Sequence, residues 1–347
     1  MIFNRKILIP KDVKAQVGIL DSNAAEARNK KIQVIKNILD GSDNRLLMII
    51  GPCSADNEEA VLEYCEKLSH IARRVEDYMV IVPRVFTGKP RSRGIGYKGM
   101  LHEPVPGTPD LEGGIIAARK MLMRVINETA LFPADEILYP EDYRYFDDLL
   151  VYATIGARSV LSQQHRMTAS GCLIPVGMKN SLDGDMVSMV QSIQAAKAQH
   201  NFLYRGWDVT TEGNPYAHAV LRGGFEHPNY HYEDIRRLCV MYDGPIIVDL
   251  NHGNSQKHWW EQSRICKEVI EQRKNNNQIR GVMVESYLVE GHQDKPEVYG
   301  QSITDGCLGW SQTEKLIWET YWKIYDESFM ITHKRGAFVN EFYRNRK

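Results

Sequence analysis

The sequence predicts an α/β protein folded as a single-domain (β/α)8 barrel, and two observations carry that expectation. Short apolar, β-branched-rich runs recur along the chain and alternate with helix-length amphipathic segments, which implies parallel strands joined by right-handed crossovers. Polar and charged residues follow almost every run, whereas an open doubly wound sheet would gather them at one switch point.

The runs fall at 46–50, 78–82, 134–138, 155–161, 173–176, 202–204, 245–250 and 281–286, eight strands in all. A further run at 217–221 is assigned to an excursion between the sixth and seventh strands. Segments 58–75, 111–128 and 186–199 read as amphipathic helices. Cys53 and Ser54 follow the first run, Arg84 and Lys89 the second, and Glu136 lies in the third. Arg158 closes the fourth, Lys179 and Asn180 follow the fifth, His252 follows the seventh, and Glu285 ends the eighth. Residues 1–40 are expected to form an N-terminal arm and first helix, 41–315 the barrel, and 316–347 a C-terminal helix and tail.

The chain has 347 residues, with 43 Lys and Arg against 44 Asp and Glu. At about 150 residues per domain this length suggests two domains, yet barrels fill 250 or more as one, and no Pro-, Gly- or Ser-rich linker divides the chain. The most linker-like stretch, 272–278, reads as a surface turn. A formal charge of -1 argues against general nucleic-acid or electrostatic membrane binding. Arg5, Lys6, Lys11 and Lys14 interrupt the start of the chain, and no apolar run reaches the ~18 residues of a membrane span, so a cytoplasmic protein is expected. Six widely spaced cysteines without a CxxC pair read as free thiols.

Six cations stand near strand ends: Arg84, Lys89, Arg91, Arg158, Lys179 and Arg222. Any one of them alone reads as a solvated charge. Together they suit substrates with several negative charges, because guanidinium forks grip phosphate and carboxylate while lysine acts as a point charge. Gly94, Gly96 and Gly99 allow close backbone approach to a ligand, but the stretch follows no strand directly and is no dinucleotide fingerprint. Cys53, His252, Glu285 and Asp305 are potential metal ligands, and each also has an ordinary reading as core thiol, hydrogen-bonded histidine or surface carboxylate. A mixed S, N and O donor set would suit Mn²⁺, Fe²⁺, Co²⁺ or Zn²⁺ over Mg²⁺ or Ca²⁺.

From Gly51-Pro-Cys-Ser-Ala-Asp onward the chain resembles the class I 3-deoxy-D-arabino-heptulosonate 7-phosphate (DAHP) synthases. The resemblance continues in order through Pro83-Arg-Val-Phe, Lys89-Pro-Arg-Ser, Ile155-Gly-Ala-Arg-Ser and Pro175-Val-Gly-Met-Lys-Asn. It then runs through Leu221-Arg-Gly-Gly, His252-Gly-Asn-Ser, Gly281-Val-Met-Val-Glu-Ser and Tyr299-Gly-Gln-Ser-Ile-Thr-Asp. It implies a TIM barrel that condenses phosphoenolpyruvate with erythrose 4-phosphate and releases phosphate, the first step of the shikimate pathway. By position it implies Cys53, His252, Glu285 and Asp305 as divalent-metal ligands. It implies Arg84, Lys89, Arg158, Lys179 and Arg222 as phosphoenolpyruvate-binding cations, with Ala157 beside Arg158. Lys89, Pro90, Arg91 and Ser92 match the aldose-phosphate loop, where Ser replaces the usual Thr. Lys89, Glu136 and His252 are the expected catalytic set, with Lys89 reaching the aldehyde oxygen and Glu136 positioning water. A homodimer or homotetramer is expected from the same resemblance.

The chain departs from that pattern in three places. One residue is inserted after Ser92, in the stretch Ser92-Arg93-Gly94-Ile95-Gly96-Tyr97, which bears on aldose choice. Tyr139, Pro140, Tyr143, Leu173 and Tyr204 stand where feedback-inhibited members commonly carry smaller or more polar residues, and the arm starts late. Weak or altered inhibition by Phe, Tyr or Trp follows. The tail beyond Trp310 runs past the usual family end. The competing readings are a related phosphoenolpyruvate-dependent synthase acting on another aldose phosphate, a secondary-metabolism paralogue, and a non-catalytic phosphometabolite-binding regulator.

Overall fold

The computed structural model describes residues 1–326. Eight parallel strands form one sheet: β1 (Leu46–Gly51), β2 (Met79–Pro83), β3 (Ala134–Glu136), β4 (Tyr152–Ile155) and β5 (Val176–Lys179), then β8 (Ala217–Leu221), β9 (Ile246–Asp249) and β10 (Ile279–Glu285). β1 pairs with both β2 and β10, and the chain order is kept around the ring. The Val85 amide donates to the Ala134 carbonyl at 2.9 Å and brings the end of β2 against β3, which closes the barrel. Strand faces are buried on both sides, as parallel strands under crossover helices must be; all six residues of β1 are buried.

The sixth barrel strand is the run 217–221, not 202–204 as the sequence suggests. Residues 202–204 lie in β6 (His200–Tyr204), which pairs antiparallel with β7 (Trp207–Thr211) as a hairpin outside the ring. The burial patterns explain the exchange. β8 is buried at all five positions, whereas β6 alternates half-buried and exposed, the signature of a strand with one face in solvent. The fourth strand also ends earlier than expected, at Ile155, so the apolar residues up to Leu161 form its exit turn and Arg158 stands beyond the strand.

The surrounding helices are α1 (Pro10–Val17), α2 (Ser22–Asp40), α3 (Glu58–Ala72), α4 (Leu111–Thr129), α5 (Gln163–Ser170), α6 (Met186–Lys197), α7 (Tyr232–Met241) and α8 (Gln262–Arg273). Several begin where a short polar side chain satisfies free amides: Asp21 accepts from Ala24, Asn57 from Ala60, Asp110 from Gly113, and Asp185 from Val187 and Ser188. α2 turns Ile32, Ile35, Ile38 and Leu39 into the core, so the N-terminal segment packs on the barrel. A final helix starts at 310 and continues to 326; the rest of the expected tail lies outside the described residues. No helix among the described residues is long and apolar enough to cross a membrane.

Candidate active site

The carboxyl ends of the strands bring most of the expected site residues into one mouth. Pairing of β1 with β10 sets Gly51 opposite Glu285, and the Ser286 amide donates to the Gly51 carbonyl at 2.9 Å. That register places Cys53, two residues past β1, beside Glu285. A side chain at position 51 would collide with the Arg84 carbonyl, so Gly allows β1 and β2 to close over the site. A short parallel ribbon, β11 (Val289–His292) with β12 (Gln301–Ser302), then returns the chain so that Asp305 faces the same point.

Candidate ligand atoms of Cys53, Glu285 and Asp305 lie within 4.8 Å of one another. His252 joins through Glu285, its Nε2 standing 3.5 Å from Glu285 Oε1. Its backbone takes a left-handed conformation, φ 53°, steadied where the Lys257 amide donates to the His252 carbonyl at 2.8 Å. Glu285 Oε1 is buried and accepts no well-aligned hydrogen bond, although Arg84 lies 2.9 Å away. A carboxylate oxygen held by charge without an aligned hydrogen bond, set among thiol, imidazole and carboxylate donors, fits a divalent cation of the borderline class.

Burial pushes the Cys53 thiol up to about 12, and the Glu285 charge adds to that. Burial would raise Glu285 as well, but the positive charges of His252, Arg84 and Lys89 override it and hold the carboxylate ionised. Asp305 is held far below the usual carboxylate range, chiefly by Lys89. The two carboxylates are thereby held anionic by the cations around them, whereas burial favours the protonated Cys53 thiol.

Arg84 is 1 % exposed, contacts the Pro52 carbonyl and lies 3.8 Å from the Phe86 ring centroid. Lys89 Nζ contacts Cys53 Sγ and stands 3.2 Å from Asp305. Lys179 Nζ pairs with Asp249 at 2.9 Å. Burial lowers Arg222 from its ordinary value, Asp249 opposes this, and the like charge of Arg158 adds to it, so the two guanidinium groups sense one another. Arg158 is exposed and donates through Nε to Ser92 Oγ at 2.8 Å, joining the fourth strand's exit turn, which also carries Ala157, to the 89–98 loop. That loop is closed at its base where the Lys89 amide donates to the Lys98 carbonyl at 2.9 Å, and Arg91 Nε donates to the Tyr97 carbonyl at 2.7 Å. Pro90 is half-buried and Ser92 and Arg93 are exposed. Glu136 ends β3 with its carboxylate against Gly156.

Three site residues are not evident from sequence reasoning. Asp249 contacts His252 and Lys179, Asn251 donates to Glu285 Oε2 at 2.5 Å, and Gln262 brackets the Glu285 backbone with both ends of its amide. The signal for Asp249 was an acidic residue inside the β-branched run 245–250; Gln262 offered none, since it opens an ordinary helix.

Of the five residues expected to alter feedback control, Tyr143, Leu173 and Tyr204 line an open groove of about 830 Å³ between the hairpin and the N-terminal segment. Tyr204 donates its hydroxyl to the Pro140 carbonyl at 2.5 Å, and Tyr139 packs 5.1 Å from the His102 ring, centroid to centroid.

A barrel whose strand ends converge on S, N and O donors ringed by buried cations defines a class of enzyme that holds anionic substrates beside a candidate metal centre. The chain belongs to the DAHP synthetase I family, whose model matches residues 22–317. It is 40 % identical over 299 residues to the Trp-sensitive phospho-2-dehydro-3-deoxyheptonate aldolase of Shigella flexneri, covering 82 % of this chain and 85 % of that protein. It is 39 % identical over 297 residues to the phospho-2-dehydro-3-deoxyheptonate aldolase of Haemophilus influenzae, covering 81 % and 82 %. A solved phospho-2-dehydro-3-deoxyheptonate aldolase from Francisella tularensis SCHU S4 superposes with a TM-score of 0.88 at 33 % identity, covering 93 % of this chain and 98 % of the other.

Proposed function

We propose that this chain is a transferase, a DAHP synthase that condenses phosphoenolpyruvate with D-erythrose 4-phosphate to DAHP and phosphate. The observation that carries the reading is the convergence of Cys53, Glu285, Asp305 and the adjoining His252 with the cations Arg84, Lys89, Lys179 and Arg222 at one mouth of the barrel. Cys53, His252, Glu285 and Asp305 would hold a divalent cation such as Mn²⁺, Fe²⁺, Co²⁺ or Zn²⁺. Such an ion supplies Lewis-acid polarisation of the aldehyde oxygen.

The remaining work belongs to side chains. Arg84 and Lys179 hold the carboxylate end of phosphoenolpyruvate, and Arg158 with Arg222 holds its phosphate, so the enol C3 is fixed for attack on the aldehyde carbon. Lys89, Pro90, Arg91 and Ser92 receive the aldose phosphate, with Lys89 between the two reactants. When the new carbon–carbon bond forms, C2 gains positive character; Glu136 orients the water that adds there, and phosphate then departs.

Loss of phosphoenolpyruvate ultraviolet absorbance tests the reading. The loss is expected only with aldose phosphate present and is expected to stop on chelation; loss that ignores aldose or chelator refutes it. The inserted residue in the 92–97 loop bears on aldose choice, and initial rates across four- and five-carbon aldose phosphates decide whether another aldose is preferred: a clear preference for erythrose 4-phosphate removes that alternative. The chain is read as a cytoplasmic homodimer or homotetramer.

A further inference from the structure

We propose that Asp249 is a positioning residue shared by both halves of the site, orienting the metal-facing nitrogen of His252 and the substrate-facing ammonium of Lys179 with one carboxylate. The inference rests on the functional reading above. Asp249 ends β9 and is fully buried, and Lys179 ends β5 with 3 % exposure. β8 lies between those strands in the sheet, so the contact reaches across the barrel interior. Asp249 Oδ2 is 2.9 Å from Lys179 Nζ and 2.9 Å from His252 Nδ1, while Oδ1 is 3.0 Å from the same Nδ1. Oδ1 also accepts the Asn251 amide at 3.1 Å, which fixes the carboxylate plane.

Two consequences follow from simple chemistry. An imidazole whose Nδ1–H is given to a carboxylate keeps its Nε2 lone pair outward, and His252 Nε2 is the atom that faces Glu285. A buried ammonium needs a counter-charge to stay both charged and aimed, and among the described residues Asp249 is the acid paired with Lys179. Among the described residues the Asp249 carboxylate pairs with the side chains of His252 and Lys179 and with neither Cys53 nor Asp305, while its charge also reaches Arg84 and Arg222.

Asp249→Asn keeps the shape and removes the charge. Mn²⁺ affinity, read by competition with a chelator, is expected to fall about tenfold to a hundredfold. Phosphoenolpyruvate affinity, read by calorimetry without aldose and at Mn²⁺ that saturates the variant, is expected to fall about tenfold. Unchanged Mn²⁺ affinity overturns the proposal, and so does wild-type phosphoenolpyruvate affinity at saturating Mn²⁺, since the role would then stop at His252. Should Asp249→Asn fail to fold, Lys179→Gln serves instead. Freed from Lys179, the carboxylate charge bears more strongly on His252, and Mn²⁺ binding is expected to tighten severalfold; unchanged binding overturns the proposal. A wild-type protein that binds Mn²⁺ and phosphoenolpyruvate yet shows no aldose-dependent condensation overturns the functional reading and leaves this assignment to be judged by the variants.

Discussion

The carboxylate of Glu136 packs against a position where even one methyl group has no room. A Cβ on residue 156 would collide with Glu136 Oε1, so Gly156→Ala displaces the group assigned to the water. The expected outcome is a kcat about tenfold lower or worse, with thermal stability nearly intact. Steady-state kinetics beside a melting curve checks it, and an unchanged kcat removes Glu136 from the chemistry. Deeper in the barrel, the Tyr152 hydroxyl and His218 Nε2 lie 2.8 Å apart, and His218 Nδ1 stands 2.8 Å from the Tyr216 carbonyl. Burial lowers His218 to about 4. Its unfolded value is about 6.5, so between these limits the unfolded chain binds more protons and folding stability falls as pH falls. The loss levels off below about 4 and amounts to at most about 3 kcal/mol. Denaturant titrations of wild type and His218→Asn from pH 7 to 4 isolate it: the variant should be less stable at pH 7 but lose less on acidification.

At the level of elements, the N-terminal segment is tied to the barrel by one buried cation. Arg119 of α4 is fully buried and donates to the Gly18 carbonyl, the Tyr145 carbonyl at 2.8 Å and both Asp148 oxygens at 2.8 Å. Lys14 of α1 reaches Asp148 at 3.1 Å, so helix and turn meet at the same carboxylate. Arg119→Met fills the space but leaves the Gly18 carbonyl without this donor. We expect a loss of about 2–4 kcal/mol and faster proteolysis within residues 1–20. Unchanged protection there would mean that Val13 packing, the Lys14 ion pairs and the hydrogen bonds of Leu8 to Glu112 and Tyr145 suffice to hold the segment. The exchange between runs 202–204 and 217–221 belongs to this scale too. Both are short and apolar, and periodicity alone does not separate a buried barrel strand from a hairpin strand with one wet face.

Across the whole molecule, the hairpin, the turn after β3 and the N-terminal segment converge on the open groove. Tyr204 bonded to Pro140 and Arg205 contacting the Glu141 carbonyl hold the hairpin against that turn by the chain's own side chains. Weak or altered feedback inhibition is a proposal that rests on the residue types at this groove, since Tyr143, Leu173 and Tyr204 line it and leave it open. Titrating Phe, Tyr and Trp into the condensation assay is expected to show little effect below millimolar concentration. Strong sub-millimolar inhibition by any one of them refutes the proposal, and the groove of about 830 Å³ is where that ligand would be sought by crystallography.

The sequence by itself determined the barrel class, the strand ends that face the mouth, and the residue types offered there. Those follow from local facts: apolar periodicity, and charge placed after each apolar run. What only the tertiary structure decided is which of two similar runs takes the sixth place in the ring, and which buried groups support the site from behind. Asp249, Asn251 and Gln262 touch site residues at distances of 3 to 70 positions along the chain, and their roles depend on strand register and on packing across the barrel. A carboxylate's meaning in a core is set by what surrounds it, and that is created only when β5, β8, β9 and β10 come together.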